Sequence, residues 1–341
     1  MRIAVVLLAC AAACGSPRPE EPAAVVAPVA PIVPVAPIVP VAPDAPPPDP
    51  RLAPGAHTLA VRVPGRAAAL ELGYEVAGAG PPCVGLAGGP GFSAGYYRGS
   101  PLERHLTMLY VDLPGTGASS RLAADELYSV ELDVAAVEAL RTALRLDRVC
   151  LIGHSYGGMV AQRYAIAHGA TLTGLILYAT TAAMDRAWSE HLTANRRWFE
   201  KEPWYADALL GMLMQRDATT DEESAAAFRL EVPFYFADWT RRADEYRPAV
   251  ERARLTLEVF RRRVWDLPFD ARADLHAITT PTLVVAGARD FMCGPTVGRD
   301  LAQRIRGATL ATIPDAGHFP HLEAPAAFDR AIADFLPRLR R

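Results

Sequence analysis

Apolar and polar positions alternate through "HTLAVRV" (57–63) and "ALELGYEV" (69–76), which predicts two antiparallel strands joined through Pro64-Gly65. "CVGLAGG" (83–89) and "TMLYVDLPG" (107–115) are short continuous apolar runs ending in glycine, the pattern of strands buried on both faces. Between 125 and 145, Val134, Val137, Leu140 and Leu144 fall at helical spacing. A strand over 148–153, a helix over 156–168 and the strand "LTGLILYAT" follow. The alternation breaks near 182 and resumes near 270 with the strand "TPTLVVAGARD", a helix over 295–306, the strand "ATLATIPDAGH" and a helix over 324–340. Strand-helix alternation of this length predicts an α/β fold, a mostly parallel central sheet flanked by helices. The core is expected over 55–181 and 271–341, with 182–270 as a helical cap. All five tryptophans, Trp188, Trp198, Trp204, Trp239 and Trp265, lie in that cap. Packing between small helices accounts for most such aromatics, and a substrate pocket for the rest.

The N-terminus departs from this pattern. Arg2 followed by the apolar run Ile3 to Ala13 has the layout of a signal peptide over 1–14, and the run is too short to span a bilayer. Small residues ending at Cys14 resemble a bacterial lipobox, which makes Cys14 the expected lipidation site and the cell envelope the expected location. A plain cleaved signal, leaving a secreted or periplasmic protein, is the alternative. Residues 15–54 read as a disordered linker rich in proline, alanine and valine. Prolines 28, 31, 34, 37, 40, 43 and 46 recur every third position, the period of polyproline II. At about 3.1 Å per residue such a spacer reaches on the order of 100 Å.

Composition narrows the classes. A chain of 341 residues with net charge −3 and no basic tract interleaved with aromatics gives no footprint for nucleic acid. Cys83, Cys150 and Cys293 lie outside the signal, too few for a disulfide scaffold, although export permits one pair to oxidise. No metal-ligand spacing and no phosphate loop occurs, so neither metal nor cofactor is expected.

The chemistry concentrates at "GHSYGG", 153–158, between a buried strand and a helix. A serine hydroxyl is a poor nucleophile unless an imidazole takes its proton and a carboxylate orients that imidazole. The later strand "VVAGARD" ends at Asp290 and "TIPDAGH" ends at His318, each at the carboxyl end where open α/β sheets place their sites. Ser155, Asp290 and His318 are therefore the candidate triad, in the order associated with a nucleophile elbow. Tyr156 supplies a backbone N–H at the helix start for an oxyanion, and the glycine-rich loop "LAGGPGFSAGYY", 86–97, supplies a second donor. His154 and His321 read as packed neighbours, and Arg98 and Arg289 as surface residues.

With these residues in place, the segment from about 56 to 341 resembles the α/β-hydrolase superfamily, and within it the proline iminopeptidase-like serine hydrolases. Gly88-Gly89-Pro90-Gly91 matches that group's glycine loop and implies Gly89 as the second oxyanion donor. The resemblance also implies a cap after strand 6, and through "RLEVPFYF" (229–236) it implies that Glu231 binds a substrate α-amine; a plain cap carboxylate is the equal alternative. Ala87 stands where the group carries histidine, and "DLPGTGASS" (112–120) resembles a segment of superfamily esterases and carbon–carbon bond hydrolases.

The expected activity is that of an exported serine hydrolase acting through an acyl-enzyme on a small-molecule or short peptide substrate, led by an aminopeptidase of the prolyl type. An esterase or lactonase is the runner-up. A non-catalytic binding lipoprotein is the remote rival, which a complete triad disfavours.

Overall fold

The computed structural model describes residues 49–262 and 269–340. The signal reading with Cys14, the linker up to residue 48, and Trp265 lie outside the described residues. Eight strands form one sheet: β1 (Gly55–Val61), β2 (Leu70–Ala77), β3 (Pro82–Leu86), β4 (Thr107–Val111), β5 (Val149–His154), β6 (Leu172–Tyr178), β7 (Thr282–Gly287) and β8 (Thr309–Ile313). Their order is β1-β2-β4-β3-β5-β6-β7-β8. β1 with β2 and β2 with β4 are antiparallel, and the remaining pairs are parallel.

The unbroken apolar runs are explained by burial on both faces. Along β5 and β6, Leu151, Leu175 and Leu177 join one core, while Cys150, Ile152, Ile176 and Tyr178 join another. This is the two-residue period of a strand sorting its side chains to opposite faces. Helices α1 (Val130–Ala143) and α2 (Tyr156–His168) contribute to the first core. β1, at the sheet edge, keeps alternating half-buried and exposed positions. The helix read over 125–145 starts only at Val130, because the Ser129 hydroxyl accepts from the Leu132 N–H at 3.1 Å and caps it.

Between β6 and β7 the described residues form helices: α3 (Arg186–Arg196), α4 (Tyr205–Asp217), α5 (Asp221–Glu231), α6 (Trp239–Arg252) and α7 (Leu257–Arg261). Asp185 and Thr220 cap α3 and α5 with side-chain oxygens. Two small, largely aromatic cores form here, one around Phe199 and Phe234 with Phe291 from beyond β7, the other around Val232, Phe236, Trp239 and Tyr246. After β7 come α8 (Pro295–Arg304), α9 (Pro320–Glu323) and α10 (Pro325–Phe335), the last on the second face of the sheet through Phe328, Ile332 and Phe335. The helix read over 324–340 ends at Phe335 and is followed by a 3-10 turn over Leu336–Arg338, which contains Pro337. Cys83 and Cys150 are register partners on β3 and β5, and all three described cysteines are free and buried.

Candidate active site

Ser155 sits between the end of β5 and the start of α2, with φ 52° and ψ −116°. A non-glycine residue here is strained, and such strain persists only where surrounding structure fixes it. The Ser155 N–H donates to the Tyr178 carbonyl at 3.0 Å, and the Thr180 hydroxyl donates to the Ser155 carbonyl at 2.7 Å. The flanking glycines are required by close approach. A Cβ at Gly153 would stand 2.3 Å from the Gly157 carbonyl oxygen, and one at Gly157 would stand 2.5 Å from those of Leu86 and Ala87. Tyr156 opens α2, and its hydroxyl donates to buried Asp133 at 2.5 Å, tying this helix start to α1.

Asp290 follows β7 and His318 follows β8, and both are buried. Asp290 Oδ2 lies 2.8 Å from His318 Nδ1. Asp290 Oδ1 accepts the Met292 and Cys293 N–H groups at 2.9 and 3.0 Å, so the carboxylate cannot turn away. An ionised carboxylate only accepts, which puts a proton on His318 Nδ1 and leaves Nε2 as the basic nitrogen. Ser155 and His318 line the same cavity without a direct hydrogen bond between them, a contact that commonly tightens when substrate binds.

The glycine loop is held by a relay that sequence reading did not reveal. The Gly88 N–H donates to the Tyr96 hydroxyl at 2.5 Å, and Tyr96 Oη lies 2.6 Å from His154 Nδ1. His154 Nε2 lies 2.9 Å from the His318 carbonyl. A carbonyl cannot donate, so Nε2 carries the proton and Nδ1 accepts from Tyr96. Burial holds His154 well below the usual imidazole range, consistent with this neutral ring. His154 thus joins the glycine loop to the backbone of His318. Gly88 must be glycine, since a Cβ there would lie 2.6 Å from His154 Nδ1 and 2.8 Å from Ser155 Cβ. The Gly88 amide is thus engaged, and Gly89 beside it lines the cavity.

The cavity measures about 520 Å³ and is walled by Met159, Met184, Met212, Met292, Trp188 and Phe228 besides Ser155 and His318. Glu231, the last residue of α5, also lines it and is 9% exposed. The Tyr235 hydroxyl donates to Glu231 Oε1 at 2.8 Å, and burial pushes the Glu231 carboxyl above its ordinary range. Tyr235 also accepts the His318 N–H at its carbonyl, at 2.7 Å. Glu323, likewise unanticipated, receives the Gly317 and Phe319 N–H groups on one oxygen and that of Ala237 on the other, stitching the His318 loop to the helical segment above. Trp239 packs in an aromatic core, whereas exposed Trp198 lies against the Arg289 guanidinium, and Arg98 pairs with Glu75.

His321, whose Nδ1 meets the Tyr178 hydroxyl at 2.9 Å, is driven by burial down to about 3. An unfolded histidine titrates near pH 6.5. Its stabilising contribution is therefore complete above pH 6.5 and lost as pH falls toward 3, at about 1.4 kcal/mol per pH unit. Glu323, raised by burial to about 7, runs the opposite way, so the difference between two proteins is the useful measure. Urea denaturation at pH 5, 6 and 7 is expected to show His321→Gln losing about one proton's worth of the wild-type slope. Equal slopes would contradict the neutral buried ring.

Sequence spacing offers no metal pattern, yet the fold gathers Asp290, Cys293 and His318 with ligand atoms within 4.8 Å of one another. Local spacing misses this because His318 arrives from the next strand.

A strained serine at a strand-to-helix corner, with an aspartate-bound histidine beside the same cavity, defines the α/β hydrolase class. The profile of the family described as alpha/beta hydrolase fold matches residues 81–325, and the chain belongs to that family. It is a hydrolase. Among its relatives, a putative carbamate hydrolase, RutD, of Variovorax paradoxus is 30% identical over 274 residues, covering 79% of this chain and 97% of that protein. The proline iminopeptidase PfmaB of Pestalotiopsis fici is 27% identical over 260 residues, 74% of this chain and 91% of that one. The solved structure of an alpha/beta fold family hydrolase from Bacillus anthracis superposes with a TM-score of 0.66 at 24% identity, covering 82% of this chain and 99% of that one, a likeness of fold.

Proposed function

We propose that the protein is a serine hydrolase of the aminopeptidase type, releasing a small N-terminal residue through an acyl-enzyme on Ser155. His318 Nε2 takes the hydroxyl proton as Ser155 Oγ bonds to the acyl carbon. The Gly89 and Tyr156 amides hold the resulting oxyanion, helped by the positive end of α2. His318 then protonates the departing amine, and water repeats the sequence to free the acid. Asp290 keeps the imidazole in the required tautomer.

The observation that carries the substrate class is Glu231, a buried carboxylate in the wall of the cavity that holds Ser155. A carboxylate so placed is costly unless a cation meets it, and the α-amine of an N-terminal residue is such a cation. Glu231→Gln is expected to raise KM for proline or alanine anilides about tenfold and to leave p-nitrophenyl esters within twofold. Equal loss on both substrate classes would remove the amine from the reading. The four cavity methionines favour a second reading, an esterase or lactonase for apolar acyl groups, since methionine adapts to irregular apolar ligands. Ester turnover without anilide turnover would select it.

Tyr96→Phe deletes one hydroxyl from the relay and leaves the ring. A hydrogen bond of about 1.4 kcal/mol corresponds to tenfold, so kcat is expected to fall about tenfold with KM within twofold. An unchanged kcat would show that the relay has no part in turnover.

The reading includes an envelope location, with the signal over 1–14, lipidation at Cys14 and the proline-rich spacer holding the hydrolase domain off the membrane. Loss of metabolic palmitate labelling in Cys14→Ala is the expected outcome, and labelling retained in that variant would exclude the anchor.

A further inference from the structure

We propose that Cys293, Asp290 and His318 form an inhibitory site for a thiophilic divalent cation of the zinc type. All three side chains are buried, and one ligand atom from each lies within 4.8 Å of the others. Thiolate, imidazole and carboxylate are the donor set zinc prefers, and three protein ligands with an open fourth position are a common arrangement. Cys293 and His318 both line the cavity, which provides the cation with a route and the fourth position with water.

Charge balance favours occupancy. A buried site must be close to neutral, and one thiolate plus one carboxylate cancel a divalent charge while the imidazole adds none. Cys293 releases its thiol proton to water, metal–sulfur and metal–oxygen bonds form, and His318 binds through Nδ1. The proton on Nδ1 moves to Nε2, the nitrogen that the hydrolytic mechanism needs bare. His318 Nδ1 and Asp290 Oδ2 stand 2.8 Å apart. Zinc bonds of about 2.0–2.1 Å to both need them roughly half an ångström further apart, within reach of a small ring rotation. The inhibitory consequence rests on the reading of His318 as the general base; the binding itself does not.

The test uses the full chain and Cys293→Ser, both cleared of metal with chelator. Cobalt(II) reports ligation, because a thiolate bound to it gives a near-ultraviolet charge-transfer band. Zinc titrated against fluorophosphonate labelling of Ser155 reports inhibition, each protein being referred to its own rate in chelator. Wild type is expected to show the band and to be inhibited; Cys293→Ser is expected to lose the band and to need at least about tenfold more zinc. No thiolate band in wild type, or equal zinc sensitivity in both proteins, overturns the site. If wild-type Ser155 fails to label even in chelator, the hydrolytic reading fails, and the cobalt spectra still decide whether the cation binds.

Discussion

Ser155→Ala is expected to lower kcat by about 10⁴–10⁶-fold while the protein stays folded. The size of the loss follows from the proposed role, since alanine carries no oxygen to bond with the acyl carbon. Folding survives because the corner is held through the Ser155 backbone, its amide donating to the Tyr178 carbonyl and its carbonyl accepting from the Thr180 hydroxyl, bonds that alanine keeps. A steady-state assay of the purified variant, with a thermal melt beside it, checks both halves. Activity within tenfold of wild type, in a variant with the same melting temperature, would remove Ser155 from the chemistry.

The second large effect concerns Asp290→Asn, for which a loss on the order of 10⁴ in kcat is expected. Oδ1 accepts from the Met292 and Cys293 amides, so the asparagine carbonyl must occupy that place. The NH₂ group is then left facing His318 Nδ1, which must accept, and the imidazole proton moves to Nε2. The base is present in the right place but in the wrong tautomer. Substrate binding does not use this proton, so KM is expected to change by less than about threefold. Crystallography of the variant with an unmoved His318 ring and a ten-thousandfold slower enzyme would match the account. A fully active variant would mean that Asp290 does not set the tautomer.

Much of this site was legible in the chain because its signals are local or directional. Continuous apolar runs mark β5 and β7 as strands buried on both faces, and Ser155 and Asp290 fall just after them, whereas His318 follows the half-exposed edge strand β8. The glycines beside Ser155 are legible for a similar reason, because a strand turning directly into a helix brings Gly157 against the Leu86 and Ala87 carbonyls. The relay was not legible. Tyr96 and His154 are 58 positions apart, and nothing about either residue type names the other as its partner. Glu323 was missed because its role is to bind backbone amides, which leave no mark in composition. Cys293 gave no signal beyond a cysteine outside the signal segment; it is a buried free thiol, and only the fold reveals that its sulfur lies beside the Asp290–His318 pair. Glu231 occupies the middle ground, since a local resemblance suggested a role and the cavity wall supplies the setting.

The most direct test of the central claim is the position of a covalent adduct. The wild-type protein would be treated with a fluorophosphonate, digested, and its peptides mapped by mass spectrometry. The account expects a single adduct on Ser155, formed in the folded protein and absent after denaturation or in His318→Ala. An unmodified Ser155 in folded, metal-free protein, or an adduct on another residue, would contradict a serine nucleophile at this corner.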